Sequence, residues 1–231
     1  MKDFIWSEQQ TLFGSKEIIG FGEKDFYVKS LDRIKANNLI IAHHYSKKVY
    51  NGSYIHLGVY MNDKLVGALQ YGCAMNPASG GSVVKGTEKE NYLELNRMWL
   101  DDIAPKNSES RAISYSIRYI KDKFRKIKWI QSFADERCGG FGIVYQACSF
   151  NFYGEHISSF WELDGETFHN SIMTSEKAGK RGFNLLNNPK NKDRVIKHSL
   201  RQFRYIKFLD MSWIKKCTKK EMPYLKHYNG D

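Results

Sequence analysis

Four places in the sequence combine residue types that can move protons or hold anions. The first is His43-His44-Tyr45-Ser46, where an imidazole stands beside a phenol. The second is Glu94, a carboxylate inside the apolar run Tyr92 to Leu100, where it is costly unless paired. The third is Asp135, which closes the apolar run Ile127 to Ala134. The fourth is the cluster Ser108, Ser110, Arg111 and Ser114 after the turn at Pro105. A His–Asp pair can remove a proton, the carboxylate fixing the tautomer and stabilising the imidazolium. Serines and an arginine where a helix begins add donors to its free N–H groups and positive end, which suits a pyrophosphate. Each residue also has a plainer use. Serines cap helices, Asp135 can cap the turn that follows it, and a lone histidine or Tyr145 can be core.

Positioning these groups requires an α/β framework. The spacing of Ile34, Leu39, Ile40 and Ala42 predicts a helix over Asp32 to Ala42, which leaves His43 and His44 at its end. Tyr54 to Tyr60 and Leu65 to Tyr71 predict a hairpin across Met61-Asn62-Asp63-Lys64, and residues 76–82 read as a loop. In Tyr92 to Leu100 a period of two places Leu93, Leu95, Arg97 and Trp99 on one face, with Tyr92, Glu94, Asn96 and Met98 on the other. Glu94 and Arg97 are thus expected on opposite faces. Ile113, Ile117, Ile120 and Phe124 mark an amphipathic helix capped by Asn107 or Ser108. Ile127 to Ala134 predicts a strand. A turn with Gly139, Gly140 and Gly142 leads to a short helix through Tyr145 to Cys148, and Phe150 to Tyr153 begins the next strand. Asp164-Gly165 joins strands over Ile157 to Leu163 and Glu166 to Met173. Strands alternating with helices in the middle imply a mixed sheet flanked by helices. Ligands then sit beyond the carboxyl ends of the central strands, where Asp135 falls.

Composition narrows the partner. Among 231 residues, 36 Lys and Arg against 25 Asp and Glu leave a net charge of +11, the balance of a protein that meets phosphate. Residues 176–204 hold nine basic side chains and two acidic ones, +7 of that total. Within that segment, Lys177, Lys180, Arg181, Lys190, Lys192, Arg194, Arg201 and Arg204, with Phe183 and Phe203 between them, are candidate contacts to a nucleic-acid backbone. The bland alternative is a solvated basic face. Four dispersed cysteines form no CxxC, so neither a zinc site nor a disulfide framework is written, and a reducing cytoplasm is expected. The first residues, Met-Lys-Asp-Phe-Ile-Trp-Ser-Glu, show no apolar run before a small-residue cleavage site and no stretch approaches the length of a membrane span, so neither secretion nor membrane insertion is expected.

Longer patterns carry a resemblance. Tyr145-Gln146-Ala147-Cys148-Ser149-Phe150-Asn151-Phe152 resembles the tyrosine, small residue, phenylalanine signature that closes the acyl-CoA site in the acetyltransferase (GNAT) superfamily. Glu94 to Tyr119 matches that superfamily's pyrophosphate unit in order and length. The usual glycine-rich turn is replaced by Asn107-Ser108-Glu109-Ser110-Arg111-Ala112, so serine donors stand where glycine backbone usually serves. His43 to Ser46, Leu57 to Tyr60, Leu93 to Leu100, Ser108 to Tyr119 and Ala134 to Ala147 together are similar to the phage Mom family of DNA adenine modification proteins, across roughly residues 31–210.

The resemblance implies a single acetyltransferase-like α/β domain over 1–231, with a core about 31–175, an added hairpin and a basic C-terminal extension about 176–231. It implies transfer of a carbamoylmethyl group to the exocyclic amine of adenine in double-stranded phage DNA, within the host cytoplasm, protecting that DNA from restriction. The family's important histidine and aspartate fall on His44 and Asp135, with Tyr45, Glu94 and Tyr145 as further catalytic candidates. Arg97, Ser108, Ser110, Arg111 and Ser114 are expected on the side of an acyl-CoA or another activated donor. His44 and Asp135 could instead be two ligands of an iron-type ion. Two other functions stay open: a conventional acyl-CoA-dependent acetyltransferase acting on a small amine or lysine, and a non-catalytic nucleic-acid-binding protein on a decayed acetyltransferase fold.

Overall fold

The computed structural model describes residues 4–10 and 16–226. The expected span 1–231 also includes residues 1–3, 11–15 and 227–231, which lie outside the described residues. The chain runs β1 (Phe4–Gln10), β2 (Lys16–Glu23), β3 (Phe26–Ser30), α1 (Arg33–His43), β4 (Ser53–Met61), β5 (Lys64–Gly72), α2 (Gly80–Val83) and β6 (Tyr92–Leu100). It continues through α3 (Ser108–Lys123), β7 (Trp129–Asp135), α4 (Ile143–Ala147), β8 (Asn151–Leu163), β9 (Glu166–His169), α5 (Arg181–Leu186) and β10 (Ile196–Phe208). The strands form one mixed sheet in the order β1-β2-β3-β4-β5-β6-β7-β10-β8-β9. This is the mixed α/β architecture that the sequence implies. Among the described strands, β6 and β7 form the parallel pair, bridged by α3 as a crossover helix.

Local sequence explains the elements that matter for the site. Asp32 caps α1 by accepting from the N–H groups of Ile34 and Lys35, and His44 closes it with its own N–H on the Ile40 carbonyl. In α3, Ala112, Ile113, Ile117 and Ile120 are buried against the sheet, the stripe expected of an amphipathic helix. One face of the sheet packs Leu57, Leu69, Leu93, Ile130, Phe203 and others beneath α3 and α4. The other face carries α1 over Ala68 and a second cluster, Tyr92, Trp129, Ile206 and Phe208, toward the C-terminus. Gly142, before α4, has φ +81, and a Cβ there would lie 2.4 Å from the Tyr205 ring, so the turn needs glycine.

Three expectations change. Residues 76–82 are a 3-10 turn, Pro77–Ser79, running into α2, because proline at the first position favours a helical start. The strand expected over Glu166 to Met173 stops at His169, whose side chain accepts from the Ser171 N–H and starts a 3-10 turn. Residues 196–208, expected within a basic C-terminal extension, form β10, an interior strand hydrogen-bonded between β7 and β8, third from one edge of the sheet. Phe203, Tyr205 and Ile206 supply its buried side chains.

Candidate active site

The parallel pair β6/β7 is short. Tyr92 pairs with Trp129, Leu93 with Ile130 and Glu94 with Gln131, and beyond that rung the strands diverge. From there β6 stays with β5, reaching the rung between Leu100 and Gly67, while β7 stays with β10 up to Asp135 opposite Gln202. The result is a V whose apex is the Glu94–Gln131 pair, open at the carboxyl ends where a parallel sheet places its ligands.

A bulge shapes the β6 arm. Gln70 faces Arg97 while the adjacent Tyr71 faces Leu95, so Asn96 is an extra residue. The alternation inverts there. Leu93 and Leu95 before the bulge, and Met98 and Leu100 after it, all pack on the face that carries α3. Trp99 turns to the α1 face, where it stacks on His43 with centroids 4.1 Å apart. Glu94 and Arg97, expected on opposite faces, therefore line one cleft.

Two clefts meet at the V. The cleft on the α1 face has a volume of about 470 Å³ and is lined by Glu94, Gln131, Phe133, Phe160, Phe168 and Arg204, among others. On the α3 face a cleft of about 410 Å³ is lined by His44, Met98, Ala134, Cys138, Val144 and Tyr145, among others. Tyr45, Leu95, Asn96, Arg97, Phe133 and Asp135 line both, so a group entering from one face reaches one entering from the other.

At the apex, Glu94 accepts from the amides of Gln131 (2.9 Å) and Asn96 (3.2 Å), one on each oxygen. Burial pushes its carboxyl above the ordinary carboxylate range, against the opposing pull of those amides and of Arg204 and Arg97. Asp135 is buried and caps the 3-10 turn Glu136–Cys138 through the Arg137 N–H (3.0 Å). Both its oxygens also bind the Arg137 guanidinium. Burial pushes its carboxyl up, but these Arg137 hydrogen bonds outweigh burial and hold it below the ordinary value. His44 is buried and its Nδ1 accepts from the Ser46 N–H at 3.1 Å, which leaves the proton of the neutral ring on Nε2. Burial, then Arg97 and Arg137, lower its pKa to about 4.

The expected His–Asp pair is accordingly not formed. His44 is engaged with Ser46 and Asp135 with Arg137, and the two residues share only the walls of the α3-side cleft. Nor do they make a cation site, because a guanidinium already occupies the Asp135 oxygens. Among the described residues no group of three or more His, Cys, Asp and Glu is placed to hold a metal ion. Tyr45 lies exposed at the junction with its ring against His44 (4.3 Å). Tyr145 is packed against Phe150 and Tyr205 and lines the α3-side cleft, so it is partly the core residue that its helical context suggests.

The serine cluster lies at the start of α3, away from the lining of both clefts. Ser110 donates its hydroxyl to the Asn107 carbonyl, and its own carbonyl accepts from the Cys148 thiol (3.2 Å) just past α4. That contact places the α3 N-terminus beside the element that carries Tyr145. Ser108 is buried with a hydroxyl lacking any partner, an orphan donor at a positive helix end. Ser114 lies one turn further on and faces Cys148. Arg111 is directed elsewhere, to Glu23 (3.3 Å) and over Phe26 (4.5 Å). Arg97, expected beside the donor, belongs to both clefts, with its Nε on the Lys48 carbonyl (3.1 Å).

The basic segment divides. Arg181 forks onto Glu166 with two 2.8 Å hydrogen bonds, Arg194 pairs with Asp164 at 2.6 Å and Arg201 with Glu136 at 2.7 Å. Arg204 is half-buried inside the α1-side cleft, donating to Gln131 at 2.7 Å. Lys180, Lys190 and Lys192 are exposed and Lys177 half-buried, without an ion pair among the described contacts. Gln131, Phe133, Arg137, Phe160 and Phe168 also line the α1-side cleft, and no motif or spacing marks them in the sequence. Three of the cleft's rings carry a cation each: Arg204 on Phe133 (4.7 Å), Arg137 on Phe160 (4.6 Å) and Lys48 on Phe168 (5.6 Å).

Comparison with known proteins adds an independent finding. The Mom protein family matches residues 25–226. The methylcarbamoylase Mom of Escherichia phage Mu is 48% identical over 195 residues, 84% of this chain and 80% of that protein. Among solved structures, the ribosomal-protein-S5-alanine acetyltransferase of Vibrio fischeri is similar with a TM-score of 0.49 and 13% identity, covering 84% of this chain and 98% of the other. RimL, a ribosomal L7/L12 alpha-N-protein acetyltransferase in complex with coenzyme A, has a TM-score of 0.47 and 9% identity over 81% and 96%.

Proposed function

The chain belongs to the Mom protein family, and on that premise we propose that it transfers a carbamoylmethyl group to the exocyclic amine of adenine in DNA. What carries the reading is the pair of clefts on opposite faces that meet where β6 and β7 diverge. A two-substrate transfer needs that arrangement, with each substrate held by its own surface and the reacting atoms brought together between them.

The α1-side cleft takes the base. In a duplex the adenine amine is paired and stacked, so the nucleotide must be extruded at a cost of a few kcal/mol and held between rings. Phe133, Phe160 and Phe168 provide those rings, and the cations on them attract the accompanying phosphates. Glu94 at the apex faces the amine. Its raised pKa suits it to accept the proton that the amine loses as its new bond to carbon forms. Neutral His44, with Nε2–H as its free edge, donates a hydrogen bond to an oxygen of the donor and accepts no proton near pH 7. Asp135 holds Arg137 against Phe160 and fixes the turn that separates the clefts.

The α3-side cleft takes the donor, of acyl-CoA type or another activated carrier. The fit rests on the buried, unpartnered Ser108 hydroxyl at the start of α3, an element tied to the Tyr145 wall by the contact between the Ser110 carbonyl and Cys148. A bound donor would supply an activated methylene carbon: as the amine nitrogen bonds to it, the bond from that carbon to its carrier breaks and the carrier leaves with the electron pair, while the amine proton passes to Glu94. Simple acyl transfer would leave a carbonyl on the amine, whereas a carbamoylmethyl product joins through a methylene. Lys177, Lys180, Lys190 and Lys192 support the flanking duplex in the bacterial cytoplasm where phage DNA is exposed to restriction.

The test is the DNA of bacteria expressing the protein. Nucleoside digests should contain a modified deoxyadenosine, and the DNA should resist endonucleases with adenine in their sites. Unmodified nucleosides from cells that hold folded protein would overturn the reading.

A further inference from the structure

The apex carboxylate is held by a chain of hydrogen bonds that extends past its immediate neighbours. Gln131 offers its NH2 group to Glu94 at 2.9 Å, and its carbonyl oxygen receives the Arg204 guanidinium at 2.7 Å. An amide of this kind can present either end. With the oxygen toward Glu94, two acceptors would meet and the carboxylate would have to bind a proton to relieve the contact. A guanidinium has donors only, so Arg204 settles which end Glu94 meets. Arg204 is itself held in place over the Phe133 ring, on the strand inserted between β7 and β8. The second amide, Asn96, is fixed in the same sense by the Ser53 hydroxyl on its oxygen (2.9 Å) and by the Cys73 carbonyl on its nitrogen (3.3 Å).

We propose that Arg204 is a positioning residue for the transfer reaction, holding Gln131 so that its NH2 group meets Glu94 and favours the carboxylate as proton acceptor, rather than contacting DNA phosphate. The role assigned to the reaction rests on the function proposed above; the hydrogen-bond relay does not. Several other groups influence Glu94: Arg97 and Tyr92 on its own strand, Tyr50 before β4 and Tyr145 on α4. His156 on β8 lies close enough to Arg204 to sense its charge. None of them touches the Gln131 carbonyl oxygen, so the relay separates from the general field by experiment.

The experiment follows the side-chain carboxyl of Glu94 by NMR in full-length protein labelled at the glutamate carboxyl carbon, with the signal assigned by its loss in Glu94→Gln. Arg204→Met should move the midpoint up by about one pH unit, and Arg204→Lys, which keeps a charged donor, should restore most of it. Loss of a positive charge alone would also raise the midpoint, so the same change is made in a Gln131→Leu background. The relay predicts a clearly smaller effect of Arg204→Met there. Equal effects in both backgrounds would reduce Arg204 to a distant charge and overturn the proposal. In cells, the acid limb of adenine modification should shift with the NMR midpoint. If wild type yields no modified adenine while the NMR coupling stands, the reaction assignment fails and the relay survives. A weaker dependence of DNA binding on salt in Arg204→Met, with an unmoved Glu94 midpoint, would overturn the proposal and return Arg204 to the phosphate contacts.

Discussion

Replacing His44 by Gln should remove a specific part of the acid sensitivity of folding. In the folded protein the His44 ring titrates at about 4, against 6.5 for an unperturbed histidine, because burial and then Arg97 and Arg137 disfavour its charged form. Between those values the unfolded chain binds the proton and the native state does not. The contribution is therefore complete above pH 6.5 and is lost as pH falls toward 4. Integrating over that window gives about 2 kcal/mol lost between about pH 7.5 and about pH 5 from this one group. Gln keeps an oxygen that can accept from the Ser46 N–H but has no titration. Urea unfolding followed by tryptophan fluorescence at those two pH values measures it. Wild type should lose about 2 kcal/mol more stability than His44→Gln on acidification. The other histidines with lowered pKa, His56, His156 and His169, are common to both proteins and cancel in the difference. Equal losses in the two proteins would refute the reasoning and with it the neutral Nε2–H form of His44.

Three further outcomes follow from the site. Asp135→Ala removes a cap and strands a half-buried guanidinium, so it should lower unfolding stability by about 1–3 kcal/mol and also abolish modification; wild-type stability in urea would show that the Arg137 pairing contributes nothing. Replacing Lys190 and Lys192 together by Ala should flatten the salt dependence of DNA binding by up to about two contacts at −0.9 each, whereas adding Arg194→Ala should change it little because Asp164 already neutralises that side chain; a third equal step from Arg194 in duplex titrations would contradict this. Gly142→Ala forces a Cβ toward Tyr205 at a positive φ, so the melting temperature should fall by several degrees, and an unchanged value would show that the turn before α4 can relax.

Much of the scaffold was legible because its signals are local. The isoleucine stripe of α3, the hairpin turns, and the apolar runs of β6 and β7 follow from period and turn chemistry, and they place Asp135 at a strand end. The bulge at Asn96 was not legible, since one extra residue leaves no mark in composition yet moves Arg97 onto the face of Glu94. β10 was hidden by its charges. Arg201 and Arg204 read as surface until Glu136 and Gln131, more than 60 residues earlier in the sequence, supply their partners. Arg137 is a different case: it stands two residues past Asp135, and nothing in the sequence shows that the turn after β7 folds its guanidinium back onto that carboxylate. The resemblance picks out both members of the expected dyad, but the local turn geometry, which composition does not reveal, gives each another partner two residues further along the chain.

The connectivity of the product distinguishes a carbamoylmethyl transfer from an acyl transfer most directly. Deoxyadenosine from cells expressing the protein can be fragmented in the mass spectrometer to identify the atom attached to the exocyclic nitrogen. The predicted result is a methylene bearing a terminal amide, present with wild type and absent with Glu94→Gln. An acetyl carbonyl bonded directly to that nitrogen would instead identify a conventional acetyltransferase, and deoxyadenosine unmodified in every sample would contradict the assignment of both clefts.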